Sequence, residues 1–289
     1  MSILMKITQM RDLNGRLWTS IIIAIVAAIL IGFSPYPWVG FLVACCIAAL
    51  VGIGIWEYVQ LAQAKNFHPD SRLMIIIAVL EVFAFYFSQR FLFFPQLPLV
   101  VLFIGVIIFF LAHFHHSYKA LAQVAIELFG ICYVTIPLCF MLGILYPKIH
   151  QDGRWWLMYL IVVTKITDIG GYFVGRLWGK RKLAPLLSPK KTIEGAMAGF
   201  FSAVAMSFLL SWMGKRYLQG SFDLGFIHAL CLGALIGILA QIGDLAESLL
   251  KRDAFVKDSN RLPGLGGVLD MVDSLLLTTP VVYFYLAIH

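Results

Sequence analysis

Nine apolar stretches govern what this chain can fold into, at about residues 17–33, 38–62, 73–88, 97–114, 120–146, 155–178, 192–213, 224–250 and 270–288. Most approach the ~20 residues that an α-helix needs to cross the ~30 Å hydrocarbon core of a bilayer. Inside hydrocarbon every backbone N–H and C=O must find its partner within the protein, which leaves runs of this length essentially one option, the helix. The links are short and polar or proline-bearing, such as SPYP at 34–37 and AKNFHPDSR at 64–72, and no soluble domain fits between any two spans. At 61% hydrophobic and 13% charged, the 289 residues carry more apolar side chain than a water-soluble core can absorb. The expected fold is all-α: a polytopic integral membrane protein of about nine transmembrane helices. It divides into an N-terminal group of about five spans (1–150) and a C-terminal group of about four (151–289) bearing the charged loops.

Charge sets the orientation. Of 22 lysines and arginines, 16 fall on the side that receives the N-terminus, Lys119 and the loops near 65–72, 176–191 and 251–261. Five fall on the other side, and Lys165 lies inside a span. Basic loops stay in the cytoplasm, so the N-terminus and both charged loops are expected there, with the C-terminus outside. Lys6, Arg11 and Arg16 ahead of the first apolar run resemble a secretory signal. No small-residue cleavage site follows, so a retained first helix is expected. The five cysteines lie within apolar runs without CxxC spacing, which suggests neither a zinc site nor a disulfide frame. Glycine pairs at GxxxG spacing (171/175, 175/179, 195/199 and 233/237) are read as helix-packing sites. His113, His115 and His116 share no helix face, so no metal is expected at them.

Against this background the acidic residues stand out, because carboxylates inside spans are costly and default to functional candidates. Glu81 and Glu127 are isolated in sequence and are read as structural or lipid-contacting. The remaining acids cluster. In the eighth span Asp244, Glu247, Ser248 and Lys251 fall on one helical face, with Arg252 at its basic end. Asp270 and Asp273 open the ninth span one turn apart. Capping the helix would account for Asp270 but not for Asp273. With Asp244 they offer three hard oxygen ligands, the type Mg²⁺ takes when it shares its shell with substrate phosphates. Between the two spans, Pro263–Gly267 (PGLGG) can form a backbone nest for anions.

A second charged region runs from Lys165 to Gly195 and places Lys165, Asp168 and Tyr172 on one face of the sixth span. Its basic loop is explained in part by attraction to anionic lipid. The segment SPKKTIEG, Ser188 to Gly195, asks for more. Thr192 can cap the seventh span, Pro189 stiffens its approach, and Lys190 and Lys191 flank a helix N-terminus, which together make a phosphate site.

These residues resemble the phosphatidate cytidylyltransferase (CDP-diacylglycerol synthase) family. The family's C-terminal pattern is S-x-x-K-R-x4-K-D, a Gly-rich H-G-G turn and D-R-x-D. Ser248, Lys251, Arg252, Lys257, Asp258, Gly266, Gly267, Asp270 and Asp273 match it in order. The Ser188–Gly195 segment, with Glu194, and the Asp168 segment also look like the family's, so the close resemblance covers about 160–280. Leu265 stands where the family has His and Met271 where it has Arg.

The resemblance implies that CTP and phosphatidate give CDP-diacylglycerol and pyrophosphate with Mg²⁺, a second cation being left open. The phosphatidate phosphate is itself the nucleophile, so no catalytic Ser or Cys is required. Asp244, Asp270 and Asp273 are assigned to the metal, while Lys251, Arg252, Lys190 and Lys191 are assigned to the phosphates. Ser188, Thr192, Glu194, Ser248, Lys257, Asp258, Gly266 and Gly267 are substrate-binding candidates. The expected setting is the cell (inner) membrane with the site at its cytoplasmic face. Membrane lipid is a partner, nucleic acid is not, and a homodimer is left open. Two other readings share these features: a cation-coupled secondary transporter, which also uses intramembrane acids, and a CTP-dependent lipid kinase, which would transfer the terminal phosphate.

Overall fold

The structure is a computed structural model that describes residues 22, 24–91, 94–114, 118–147, 152–218, 221–256 and 267–288. All nine expected apolar segments are helical where they are described. They are α1 (Ala24–Phe33), α2 (Pro37–Ala64), α3 (Ser71–Arg90), α4 (Leu97–His113) and α5 (Ala120–Leu145). Then come α6 (Gly153–Trp178), α7 (Ile193–Tyr217), α8 (Phe226–Asp253) and α9 (Val268–Ile288). Seven of them, α2, α3 and α5 to α9, are long and apolar enough to cross a membrane; α4 has 17 residues and α1 is shorter. The chain is therefore a nearly all-α, multi-pass protein. The start of the first expected span, with Lys6, Arg11 and Arg16, lies outside the described residues, as do His115 and His116.

Local sequence explains most helix ends. Asp70 accepts from the Arg72 and Leu73 amides to open α3, and Asp152 accepts from Arg154 N to open α6. The expected Thr192 cap is present, its hydroxyl accepting from Gly195 N at 3.2 Å. Inside α5 a π-helical turn spans Ile131–Thr135. Pro137 follows after Ile136; it has no N–H to donate and its ring clashes with the carbonyl four residues back, which the wider turn relieves.

One departure corrects the all-α expectation. Between α6 and α7 the chain forms a small antiparallel hairpin, β1 (Lys182–Ala184) and β2 (Ser188–Thr192), pairing Lys182 with Thr192 and Ala184 with Ser188. The Ile193 amide extends the pairing to Arg181 O at 2.9 Å. Strands this short and this charged carry no apolar alternation to reveal them.

The buried core runs through both halves of the chain, from Ile55, Met74 and Leu138 to Trp156, Ile236 and Leu276. Around it large apolar side chains such as Phe103, Ile107, Leu230 and Phe284 face outward. An apolar surface of this extent belongs against lipid. The GxxxG glycines do serve packing. A Cβ on Gly195 would stand 2.6 Å from Gly171 O, one on Gly199 2.8 Å from Thr167 O, and one on Gly233 2.7 Å from Ser207 Cβ. The backbones of α6, α7 and α8 thus approach more closely than any side chain would permit.

Candidate active site

Where α6, α7 and α8 meet the hairpin they enclose a cleft of about 730 Å³. Helix α6 contributes Asp168, Tyr172 and Arg176, the hairpin Lys182, Lys190 and Lys191, and α8 Gln241 and Asp244. Gly171, Gly175 and Gly195 line it as well, so helix backbone forms part of the wall. Four cations and two carboxylates thus share one concave space. Lys191 Nζ lies 2.5 Å from Asp244 Oδ2, tying β2 to α8.

Behind Asp244, helix α9 supplies Asp273. Its Oδ1 accepts from Ser274 N, and Asp244, Lys165 and Asp168 are its electrostatic neighbours. Lys165 holds this corner together. Its ammonium donates to Met271 O at 3.1 Å and to Ser274 Oγ at 3.2 Å, and it lies 3.6 Å from Asp168. Ser274 Oγ in turn donates to Asp168 Oδ2 at 3.2 Å. Gly243 permits the close crossing of α8 and α9, since a Cβ there would stand 2.5 Å from Asp273 O.

A second group lies on the same two helices. Lys251 pairs with both Glu247 and Asp270, and Glu247 is almost fully buried. The ammonium therefore bridges a carboxylate of α8 and one of α9, its single charge shared between them. Tyr133, carried by the π turn of α5, brings a buried hydroxyl into the electrostatic neighbourhood of Glu247 and Asp273.

Other expected site residues have different surroundings. Arg252 Nε donates to Leu187 O at 3.1 Å and fastens the hairpin turn to the end of α8. Glu194 accepts from the Lys180 and Arg181 amides at 3.1 and 3.2 Å, so its carboxylate serves the loop backbone. Thr192 both caps α7 and lines the cleft. Ser188 lies in β2, and Ser248 is half-buried on α8 beside Glu247. Gly267 is buried, and its carbonyl accepts from Met271 N at 3.3 Å. Lys257, Asp258 and Gly266, with the rest of the proposed nest and Leu265, lie outside the described residues.

Glu127, isolated in sequence, has a structural role, as expected: it accepts from Asp70 N at 3.0 Å and lies 3.8 Å from His113 Nδ1, joining α3, α4 and α5. Glu57 was overlooked. Its carboxylate accepts from the Val268 and Leu269 amides, so the first turn of α9 is capped from α2. The available signal was the same as for the other acids, a carboxylate inside an apolar run. Gln241, also overlooked, donates to Ala196 O and Gly237 O and bridges α7 to α8.

Among the described residues, no three His, Cys, Asp or Glu side chains stand close enough to hold an ion by themselves. A neighbouring pair of carboxylates, such as Asp244 with Asp273, fits a hard cation that completes its shell with substrate phosphate, because Mg²⁺ commonly takes only one or two protein carboxylates.

Comparison with known proteins agrees with this chemistry. A profile of the Cytidylyltransferase family matches residues 14–289. The phosphatidate cytidylyltransferase of Chlamydia pneumoniae is 35% identical over 96% of this chain and 92% of its own length. That of Chlamydia trachomatis is 32% identical over 96% and 93%. That of Synechocystis is 31% identical over 93% and 97%. With nearly the whole chain covered and a cationic cleft facing clustered carboxylates, the chain belongs to the cytidylyltransferase family.

Proposed function

We propose that the protein is a phosphatidate cytidylyltransferase, joining CTP to phosphatidate to form CDP-diacylglycerol and pyrophosphate. The observation that carries this is the cleft itself: Arg176, Lys182, Lys190 and Lys191 face Asp168 and Asp244 at one end of a lipid-embedded helix bundle. Such a site suits a polyanionic nucleotide and a lipid phosphate arriving from the bilayer.

In the reaction, an oxygen of the phosphatidate phosphate forms a bond to the α-phosphorus of CTP. The bond from that phosphorus to the α–β bridging oxygen breaks, and pyrophosphate leaves with the electron pair. No side chain needs to become covalently attached. The protein's task is alignment of two anions and neutralisation of the charge that develops on the leaving group. Lys190 and Lys191 hold the triphosphate, with Arg176 and Lys182 as further cations of the same wall. Lys251 bridges Glu247 and Asp270 beside it. A bound Mg²⁺ would supply charge neutralisation and a template for the phosphates. Asp244 and Asp273 would hold it, with Asp168 as their neighbour, while Asp270 is engaged by Lys251.

The 16-to-5 distribution of basic residues supports a cytoplasmic N-terminus, nine spans and a cytoplasmic cleft in the inner membrane, where CTP is available. The cleft residues all lie within 151–289, which supports a division between N-terminal transmembrane helices, 1–150, and a catalytic region, 151–289. The test is product identity. Purified protein in detergent with CTP, phosphatidate and Mg²⁺ gives CDP-diacylglycerol and pyrophosphate in equal amounts. CDP with a phosphorylated lipid would mark a kinase instead, and folded protein that yields no product would overturn the assignment.

A further inference from the structure

We infer that Glu57 is a positioning residue for this reaction: from helix α2 it fixes the start of α9, and with it the placing of Asp270 and Asp273. The inference rests on the reaction proposed above. Glu57 is fully buried, about two turns before the end of α2. One carboxylate oxygen accepts from Val268 N at 2.9 Å and the other from Leu269 N at 2.8 Å, across 211 and 212 residues of sequence.

The first N–H groups of a helix have no partner within it. Here two successive ones are taken by two oxygens of one rigid carboxylate. A single bond would leave the helix free to rotate about it. Two bonds to adjacent amides set both the depth of α9 and its rotation. The negative charge also meets the positive end of the helix dipole. Since a buried carboxylate without such partners is costly, the clamp is stable only when α9 starts at this residue.

What α9 carries makes the start point matter. Asp270 follows Leu269 directly and pairs with Lys251, and Asp273 lies one turn further on beside Asp244. A slip of one residue at the helix start would turn both carboxylates by about 100°. It would break the Lys251 pair and move Asp273 off Asp244. The link ahead of α9 ends in Gly266-Gly267, which imposes little conformational preference of its own. The register must therefore be set from elsewhere, and Glu57 supplies it.

The test compares Glu57→Asp with Glu57→Gln in the full-length protein. Aspartate is shorter but keeps two accepting oxygens. Glutamine keeps the shape but turns one acceptor into a donor facing an amide N–H. A packing role ranks Gln above Asp, and the clamp ranks Asp above Gln. We expect Glu57→Gln to lower kcat about 10- to 100-fold, as loss of a supporting shell does, with KM for CTP changed less than about twofold. Amide exchange in residues 267–273 is expected to quicken while that of α6 and α7 stays as in the wild type. Should Glu57→Gln fail to fold, the exchange rate in Glu57→Asp decides the matter. Wild-type kcat in folded Glu57→Gln, Gln outperforming Asp, or unchanged exchange over 267–273 would each overturn the inference. Wild-type protein without product would sink the reaction instead, leaving the exchange measurement to judge the clamp.

Discussion

Lys191 Nζ and Asp244 Oδ2 stand 2.5 Å apart, joining the hairpin to α8 inside the cleft. The pair brings together the cation proposed to hold phosphate and the carboxylate proposed to hold the metal, from segments 53 residues apart in sequence. Both side chains remain partly open, at 25% and 35% exposure. Each can therefore exchange its partner for a ligand of the opposite sign without unfolding anything around it.

The first prediction follows from that exposure. A partly exposed ion pair contributes about 0–1 kcal/mol to stability, so Lys191→Met and Asp244→Asn are expected to melt within a few degrees of the wild type. Their kcat is expected to fall by about 10²- to 10³-fold, the usual cost of removing one group that stabilises transition-state charge. Thermal melting in detergent beside steady-state kinetics checks both halves.

Lys251 should behave differently. Its side chain is 14% exposed, and it pairs with Glu247, 1% exposed, and with Asp270. Lys251→Met leaves two carboxylates facing one another without a cation, a loss on the order of 3–5 kcal/mol. A marked drop in melting temperature is expected together with loss of activity. Glu247→Gln in the Lys251→Met background should recover part of the stability and none of the activity.

Chelation separates a catalytic cation from a structural one. With no preformed three-ligand cage among the described residues, the fold is not expected to depend on a divalent ion. EDTA is expected to abolish product formation, leave the melting temperature unchanged, and be fully reversed by Mg²⁺. A large fall in melting temperature on chelation would contradict this.

The glycine seam offers a steric test. Alanine at Gly195 would press its methyl against Gly171 O and Gly175 Cα, both backbone atoms that cannot rotate away. Gly195→Ala is expected to cost about 1–3 kcal/mol and to lower activity by parting α6 from α7 at the cleft. Gly32→Ala meets nothing within 4 Å and should be neutral or slightly stabilising. Melting curves of the two variants check the contrast.

The helices were legible in the sequence because hydrocarbon demands long apolar runs, and these announce themselves without knowledge of tertiary contacts. The Thr192 cap and the glycine seams were legible too, since each depends on neighbours a few residues apart. The hairpin was not: strands of three and five residues, rich in lysine, read as a basic loop. Pairings across the bundle were equally hidden. Nothing in the sequence ties Glu57 to Val268, or His113 to Glu127, because only packing brings them together. Lys191 and Asp244 were each singled out as site residues, while their mutual contact emerged from the fold. Within the charged region the sequence drew attention to Lys190, Lys191 and Asp244, which line one cleft, and to Asp273 beside Asp244. It could not foresee that Glu194 and Arg252 spend polar atoms on holding the loop in shape.

The most direct test follows the label from CTP in this cleft. Wild-type protein and Asp244→Asn are each given phosphatidate with CTP labelled at either the α- or the γ-phosphate, and the lipid is extracted. Label from the α position should enter the lipid with wild type and fall to background with Asp244→Asn, while the γ label stays in the aqueous pyrophosphate. Transfer of the γ label to lipid, or undiminished α-label transfer by the folded variant, would contradict the account.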